Sequence, residues 1–324
     1  MTHDELMVSL THRHEQISTL VRGRRVHYVD VPMYGNVGDL LIMFGTLNFF
    51  EARNVQIASL ATYFNFRPTR VLATDVIAFQ GGGNFGDIYG PFQAFRERVI
   101  AQFPHHRLVV MPQSIHFSSD TALERCIAVC RAHPDLHIFV RDHESLAMAT
   151  RMTPNAHLAP DMAHHLWPVS NFAALQPTQG STLHLRRRDA EATGTAGTTG
   201  GQAFDWDEIV GPVWRFFLSQ IVERSVTQAH LRFGIGALFG SWVVRAWLWQ
   251  ARRFMSQAIA VFARHERVES DRLHAHILSM LMSKANKISD NSYGKNSRYI
   301  TSWTGASPLV TLQAHGPKVA DKNA

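Results

Sequence analysis

Apolar positions along the first half of this chain switch repeatedly between two spacings. Short apolar runs at Val26–Val31, Val76–Gln80, Leu108–Met111 and His137–Val140 have the length and composition of buried strands. Each leads through a turn into a longer segment with helical spacing: Leu40–Phe50, Pro91–Phe103, Ala122–Ala132 and Glu144–Thr150. Strands alternating with helices predict a parallel α/β sheet, since a parallel crossover needs a connecting helix. Around 161–180 the pattern lapses and Pro160, Pro168 and Pro177 collect, which predicts a domain boundary. Beyond it, Ser181–Leu185 and Lys287–Ser289 read as strands. Ile209–Gln228, Trp242–His265, Arg272–Met282 and Ser297–Trp303 read as helical, and Glu191–Gln202 as a loop without core potential. The expectation is two α/β domains, 1–170 and 171–312, with a disordered tail at 313–324. In both halves the polar residues of interest fall at strand C-terminal ends, where open α/β sheets bind ligands, so a cleft between the domains is expected.

Composition narrows the class. At 324 residues, 45% hydrophobic and 18% charged, the chain is ordinary globular material with room for two domains of about 150 residues. The net charge is +6, but the basic residues are scattered and form no basic tail, so no nucleic-acid partner is expected. Cys126 and Cys130 exclude a disulfide framework and read as two buried thiols one helical turn apart. Met1–Leu20 has no continuous apolar core, so a cytoplasmic protein is expected. Phe233–Trp249 is broken by Arg245 and three glycines and falls short of the ~20 apolar residues of a membrane span. From Arg224 to His265 there is no acid, yet there are six arginines together with Trp242, Trp247 and Trp249. Trp247, Ala251, Phe254, Met255, Ala258 and Phe262 share one helical face, and Arg245, Arg252, Arg253 and Ser256 take the other. Two readings stay open: a helix packed on the core, or one lying on an anionic membrane surface.

The candidate chemistry gathers near the C-terminus, at Arg272-Leu273-His274 and at Lys295. Arginine binds carboxylate or phosphate bidentately and histidine moves protons near neutral pH, so this grouping suits a small, multiply charged anion. Arg272 precedes an apolar helical run, and a helix N-terminus is itself an anion site. Arg141, Arg186 and Arg187 sit at predicted strand ends; a single such arginine is usually a solvated one, but several together point to an anion. Asn36 and Asp39 read either as a helix cap or as ligand contacts. Gly81-Gly82-Gly83-Asn84 reads as a bare glycine turn or as a close backbone approach to a ligand, with Asn84 and Asp87 available to a sugar; Gln113 lies at a further strand end. The pattern is not GxGxxG, and no GxSxG, HExxH or phosphate-binding P-loop occurs. The 19 histidines lack companion Cys or carboxylate ligands at zinc-like spacing, so no metal is expected.

Eight segments in order carry a family resemblance: NVGDLLI (Asn36–Ile42), GGGNFGD (Gly81–Asp87), MPQSIHF (Met111–Phe117), FVRDHESL (Phe139–Leu146), APDMA (Ala159–Ala163), LRRRDAE (Leu185–Glu191), SDRLHAHI (Ser270–Ile277) and DNSYGK (Asp290–Lys295). Together they resemble the polysaccharide pyruvyl transferases over about residues 26–303. The resemblance implies two Rossmann-like domains in a GT-B-like fold. It also implies phosphoenolpyruvate as donor and co-substrate, no cofactor, and a polysaccharide or lipid-linked oligosaccharide acceptor that draws the protein to the inner membrane surface. Arg272, Leu273, His274, Lys295, Arg141 and the Arg186–Arg187 pair become donor contacts, with Arg272 and His274 catalytic. The acceptor side falls to Asn36, Asp39, Asn84, Asp87 and Gln113. Ala275 stands where the family commonly has glycine, and Lys284–Ile288 is less apolar than usual. A nucleotide-sugar glycosyltransferase of the same fold is the alternative enzyme, and a basic, aromatic-rich module that binds membrane or polysaccharide without turnover is the non-enzymatic one.

Overall fold

A computed structural model of the chain describes residues 1–63, 65–168, 177–187, 204–210, 236–290 and 294–313. Two sheets of parallel strands organise it, as the alternation of periods predicts. The first has seven strands: β1 (Arg25–Val29), β2 (Gln56–Ala61), β3 (Val76–Phe79), β4 (Gly82–Gly86), β5 (Arg107–His116), β6 (Leu136–Val140) and β7 (Ala156–Leu158). Their order is β2-β1-β3-β5-β6-β7, with β4 paired to β5. The second sheet has the order β11-β10-β9-β8, formed by β8 (Thr178–Leu185), β9 (His265–Ser270), β10 (Ala285–Ile288) and β11 (Val310–Leu312).

The helix Val37–Ala52 explains how the two sheets come together. It is apolar all round and buried on nearly every side, the signature of a helix enclosed by protein. It packs against the helix Gly236–Ala263, the helix Leu273–Leu281 and the short 3₁₀ helix Met162–Leu166. Phe49 and Phe50, Trp247, Phe254 and Phe262, and Ile277 therefore belong to one continuous apolar cluster. A second cluster, with Phe79, Phe95, Val110 and Ile138, fills the opposite face of the first sheet. On the helix Gly236–Ala263, Trp247, Ala251, Phe254, Ala258 and Phe262 are buried and Arg245, Arg252 and Arg253 are exposed, which is the core-packed reading of its amphipathic pattern. Among the described residues no helix is long and apolar enough to cross a membrane.

Several elements differ from the sequence expectation. Gly82–Gly86 forms a strand rather than a bare turn. β5 continues through Pro112, which lacks an N–H, and its register with β6 shifts between Val110 and Gln113 where a ladder bond cannot form. The helix expected from Trp242 begins at Gly236, and Ser297–Trp303 becomes the helix Lys295–Tyr299 continued by a π-helical turn, Ile300–Thr304. Arg188, the Glu191–Gln202 loop, most of the Ile209–Gln228 helix, the 291–293 turn and the 314–324 tail lie outside the described residues.

One glycine makes the joint between these layers possible. A Cβ on Gly45 would lie 2.1 Å from the Met162 carbonyl oxygen and 2.7 Å from its carbon, so the helix and the 3₁₀ turn touch backbone to backbone. We expect Gly45→Ala to cost about 1–3 kcal/mol through overpacking and to shift the turn that begins at Asp161. Urea denaturation checks it: an unchanged midpoint would show that the turn yields freely.

Candidate active site

The C-terminal ends of both sets of strands face a cavity of about 410 Å³, within the roughly 300–1,000 Å³ usual for small-molecule sites. The first sheet contributes Asn36, Asp39, Gly83 and Asn84 to its lining, and the other half of the chain contributes Arg187, Arg272, Leu273, His274 and Lys295. Three guanidinium or ammonium groups and an imidazole thus line one space.

Each cation is held by identifiable chemistry. Arg272 caps the helix Leu273–Leu281 at the end of β9; its amide donates to Ser270 Oγ (3.0 Å) and its Nη2 to Asp205 Oδ2 (2.6 Å). The Arg187 amide donates to Asp271 Oδ1 (2.9 Å), which fixes the strand end that presents its side chain. Lys295 begins its own helix and reaches across to the first sheet, where a Cβ on Gly83 would stand 2.5 Å from its Nζ. That approach is the physical use of the glycine-rich segment. Arg186 is outside the lining; its Nη1 contacts Ser289 Oγ (3.4 Å) and its amide donates to the Phe204 carbonyl (2.8 Å).

Behind the cavity lies a buried charge relay that sequence reasoning quoted only as part of the APDMA string. Asp161 is wholly buried and paired with Arg141 Nη1, also wholly buried. The same carboxylate lies 3.3 Å from His274 Nε2, and its other oxygen accepts the Ala163 amide (2.9 Å). Burial alone would raise its pKa, but the His274 hydrogen bond and the Arg141 charge outweigh it and hold the carboxyl well below the usual range. The Tyr299 hydroxyl accepts the Asp161 amide (3.1 Å) and donates to His164 Nε2 (2.8 Å), consistent with burial holding His164 down to about 3 and uncharged. Arg141 thus stands one layer behind the lining, with Nη2 donating to Ser114 Oγ (3.1 Å). His274 itself is packed against the start of the long helix, where a Cβ on Gly38 would be 2.5 Å from its Nδ1.

The polar wall of the first sheet is equally fixed. Asn36 caps the helix, its Oδ1 accepting the Gly38 amide (3.0 Å). Asp39 hydrogen-bonds Tyr34; burial raises its carboxyl pKa, opposed by nearby His274, Lys295 and Arg141. Asn84 Oδ1 accepts from Arg96 Nη2 (2.8 Å) and Gln113 Nε2 (3.2 Å), while its Nδ2 donates to Asp30 Oδ2 (3.3 Å). Gln113 is fully buried and supports Asn84 instead of lining the cavity. Asp30, at the end of β1 with φ +63°, is pushed up to about 7 by burial, against the opposing Arg96 charge. Asp87 is also outside the lining, because its carboxylate is engaged by the amides of Ser118 (2.9 Å) and Ser119 (2.8 Å). His276 is buried between Asn286 Oδ1 (2.7 Å) and Thr304 Oγ1 (2.8 Å), with its pKa lowered to about 4 by burial, a neutral structural histidine.

Fold and site together define a parallel α/β protein whose strand ends frame a cavity lined by cationic side chains. Residues 36–285 match the family profile described as polysaccharide pyruvyl transferase. The chain belongs to that family and is a transferase of polysaccharide biosynthesis. It is 36% identical over 307 residues to EpsO of Bacillus subtilis (strain 168), which carries pyruvyl transferase in its name; the match covers 93% of this chain and 92% of that protein. It is 25% identical to Pyruvyl transferase 1 of Schizosaccharomyces pombe, covering 86% of this chain and 70% of that one. Its fold is similar to the crystal structure of an uncharacterized protein of Klebsiella pneumoniae, with a TM-score of 0.60, 20% identity, and coverage of 96% of this chain and 98% of the other.

Proposed function

We propose that this protein transfers pyruvyl from phosphoenolpyruvate to two hydroxyls of one sugar residue in a polysaccharide repeat unit, forming a pyruvate ketal. The observation that carries the reading is the convergence of Arg187, Arg272, Lys295 and His274 on one cavity in a chain of this family. Phosphoenolpyruvate carries about three negative charges near neutral pH, which that cation set would balance. In the reaction the donor methylene carbon takes a proton and a sugar hydroxyl adds at the adjacent carbon. The carbon–oxygen bond to phosphate then breaks, and a second hydroxyl closes the ring. Two hydroxyl protons are released, and methylene and phosphate take up one each. His274 moves the proton, Asp161 stabilises its charged form, and the cations stabilise charge on the departing phosphate.

The architecture in this reading is GT-B-like, with an acceptor domain over 1–170 and a donor domain over 171–312. It is supported by a cavity that draws its lining from both sheets. A lipid-linked acceptor would place the protein on the cytoplasmic side of the inner membrane; Trp249, 59% exposed beside Arg252 and Arg253, supports that contact. The test is a thermal-shift comparison followed by a phosphate-release assay with phosphoenolpyruvate and a hexose-containing acceptor. We expect phosphoenolpyruvate at about 100 times its Kd to stabilise the fold by ~2.7 kcal/mol. Stabilisation by a nucleotide sugar, with none by phosphoenolpyruvate, would favour glycosyl transfer instead.

A further inference from the structure

The end of the cavity formed by the first sheet has a different chemistry from the cationic end. Four aromatic side chains line it: Tyr34 from the loop after β1, Tyr63 from the loop after β2, and Tyr89 and Phe92 from the segment after β4. Phe92 is the centre of the group. Its ring centroid lies 4.9 Å from that of Tyr63, 6.3 Å from Tyr34 and 6.4 Å from Tyr89, with interplanar angles of 55°, 75° and 85°. Other rings in and around the first sheet are packed away: Phe49, Phe79, Phe85, Phe95 and Phe139 are fully buried. These four remain half-buried, and three separate strand ends bring them to one wall. Core packing explains the buried phenylalanines. It does not require four part-exposed rings to meet at the mouth of a polar, charge-bearing cavity.

We propose that Tyr34, Tyr63, Tyr89 and Phe92 form the acceptor subsite, and that it takes a neutral hexopyranoside through the face carrying its axial C–H bonds. The inference rests on the pyruvyl-transfer reading and names the part of the substrate that reading leaves open. A pyranose has one face of C–H bonds with partial positive charge and a rim of hydroxyls. Aromatic faces are electronegative and apolar, so they cover the first, while the rim remains free for polar partners. Asn36, Asn84 and Asp39 occupy that rim position on the same wall. The four rings carry no charge to pair with the carboxylate of a uronate, so the subsite is built for a neutral sugar.

The test uses the full-length protein and two probes, methyl β-galactopyranoside and methyl β-glucuronide. Saturation-transfer NMR is expected to give the strongest enhancements on the ring C–H protons of the neutral glycoside, with little transfer to the glucuronide. In the phosphate-release assay, Phe92→Ala and Tyr63→Ala are expected to raise KM for the acceptor about five- to tenfold, while kcat and the phosphoenolpyruvate-induced Tm shift stay near wild type. Phe92→Leu keeps apolar volume without an aromatic face and should share the KM defect, which separates loss of stacking from loss of packing. Unchanged acceptor KM in all three variants, or equal binding of the glucuronide, would overturn the proposal. Should phosphoenolpyruvate fail to shift the Tm of the wild-type protein, the pyruvyl-transfer reading falls, and the NMR arm then decides on the aromatic wall alone.

Discussion

Asp161→Asn lowers the unfolding free energy by roughly 3–5 kcal/mol and removes most of the transferase activity. The first effect follows from burial: Arg141 and Asp161 are both wholly inaccessible, so neutralising the acid leaves a guanidinium without a counter-charge. Asparagine retains the shape and an acceptor for the Ala163 amide, so the loss reports charge rather than a cavity. The pH dependence supplies a second readout. Asp161 has a folded-state pKa held below the ordinary carboxylate value, so its stabilisation is fully present above ~3.9 and is lost progressively as the pH falls through the folded value. Wild type and variant should therefore differ by a constant amount from pH 7 down to about 4 and converge in stronger acid. Urea unfolding at pH 7, 5 and 3 measures this. A difference that stays level down to pH 3 and below would mean that the charge contributes nothing and that only packing was disturbed.

How much of this arrangement is legible in the chain varies with how local its cause is. β1, β3 and β6 are four- or five-residue strands buried on nearly every residue, so a continuous apolar run marks each of them. β2 escapes because it is the edge strand of its sheet, and β9, although paired on both sides, because its residues are mostly polar. Gln56 and Ile57 are exposed at the sheet edge, and HERVES presents only one apolar residue to the core. β4 escapes because glycine is a poor strand former, and its pairing with β5 is a tertiary choice. The cationic end of the site was readable, since Arg272, Leu273 and His274 are consecutive and Lys295 has few lysine neighbours in sequence. Resemblance could not resolve which of the neighbouring arginines faces the cavity; that depends on strand alternation at β8, where Arg187 lines it and Arg186 turns to Ser289. Asp161 was readable only as a letter in a motif. Its role comes from a 3₁₀ turn seated on Gly45 more than a hundred residues away, a contact with no local signature.

His274→Ala should lower turnover by ~10²- to 10⁴-fold while leaving the fold nearly intact, since the imidazole borders the cavity and its removal enlarges that space rather than opening a void in the core. Its ring is held on two sides, by the Asp161 carboxylate at Nε2 and by the face of Gly38 at Nδ1, so the residue is positioned before any substrate arrives. Such preorganisation is worth most if the ring gains a proton during the reaction, because the buried carboxylate then stabilises the imidazolium. Double substitution separates this from a merely structural role. If Asp161 acts on chemistry through His274, adding Asp161→Asn to a His274→Ala protein should cost little further kcat, because residues working as a unit are strongly non-additive. The stability loss, which belongs to Arg141, should persist undiminished in the double variant. Independent, multiplying losses in kcat would instead assign Asp161 to holding Arg141 at the back of the donor site. Unchanged turnover in the single His274 variant would remove the imidazole from the mechanism, and the proton would then have to come from another titratable group of the lining; Asp39 is the carboxyl among them, and burial raises its pKa so that a fraction stays protonated at higher pH than in an ordinary carboxyl.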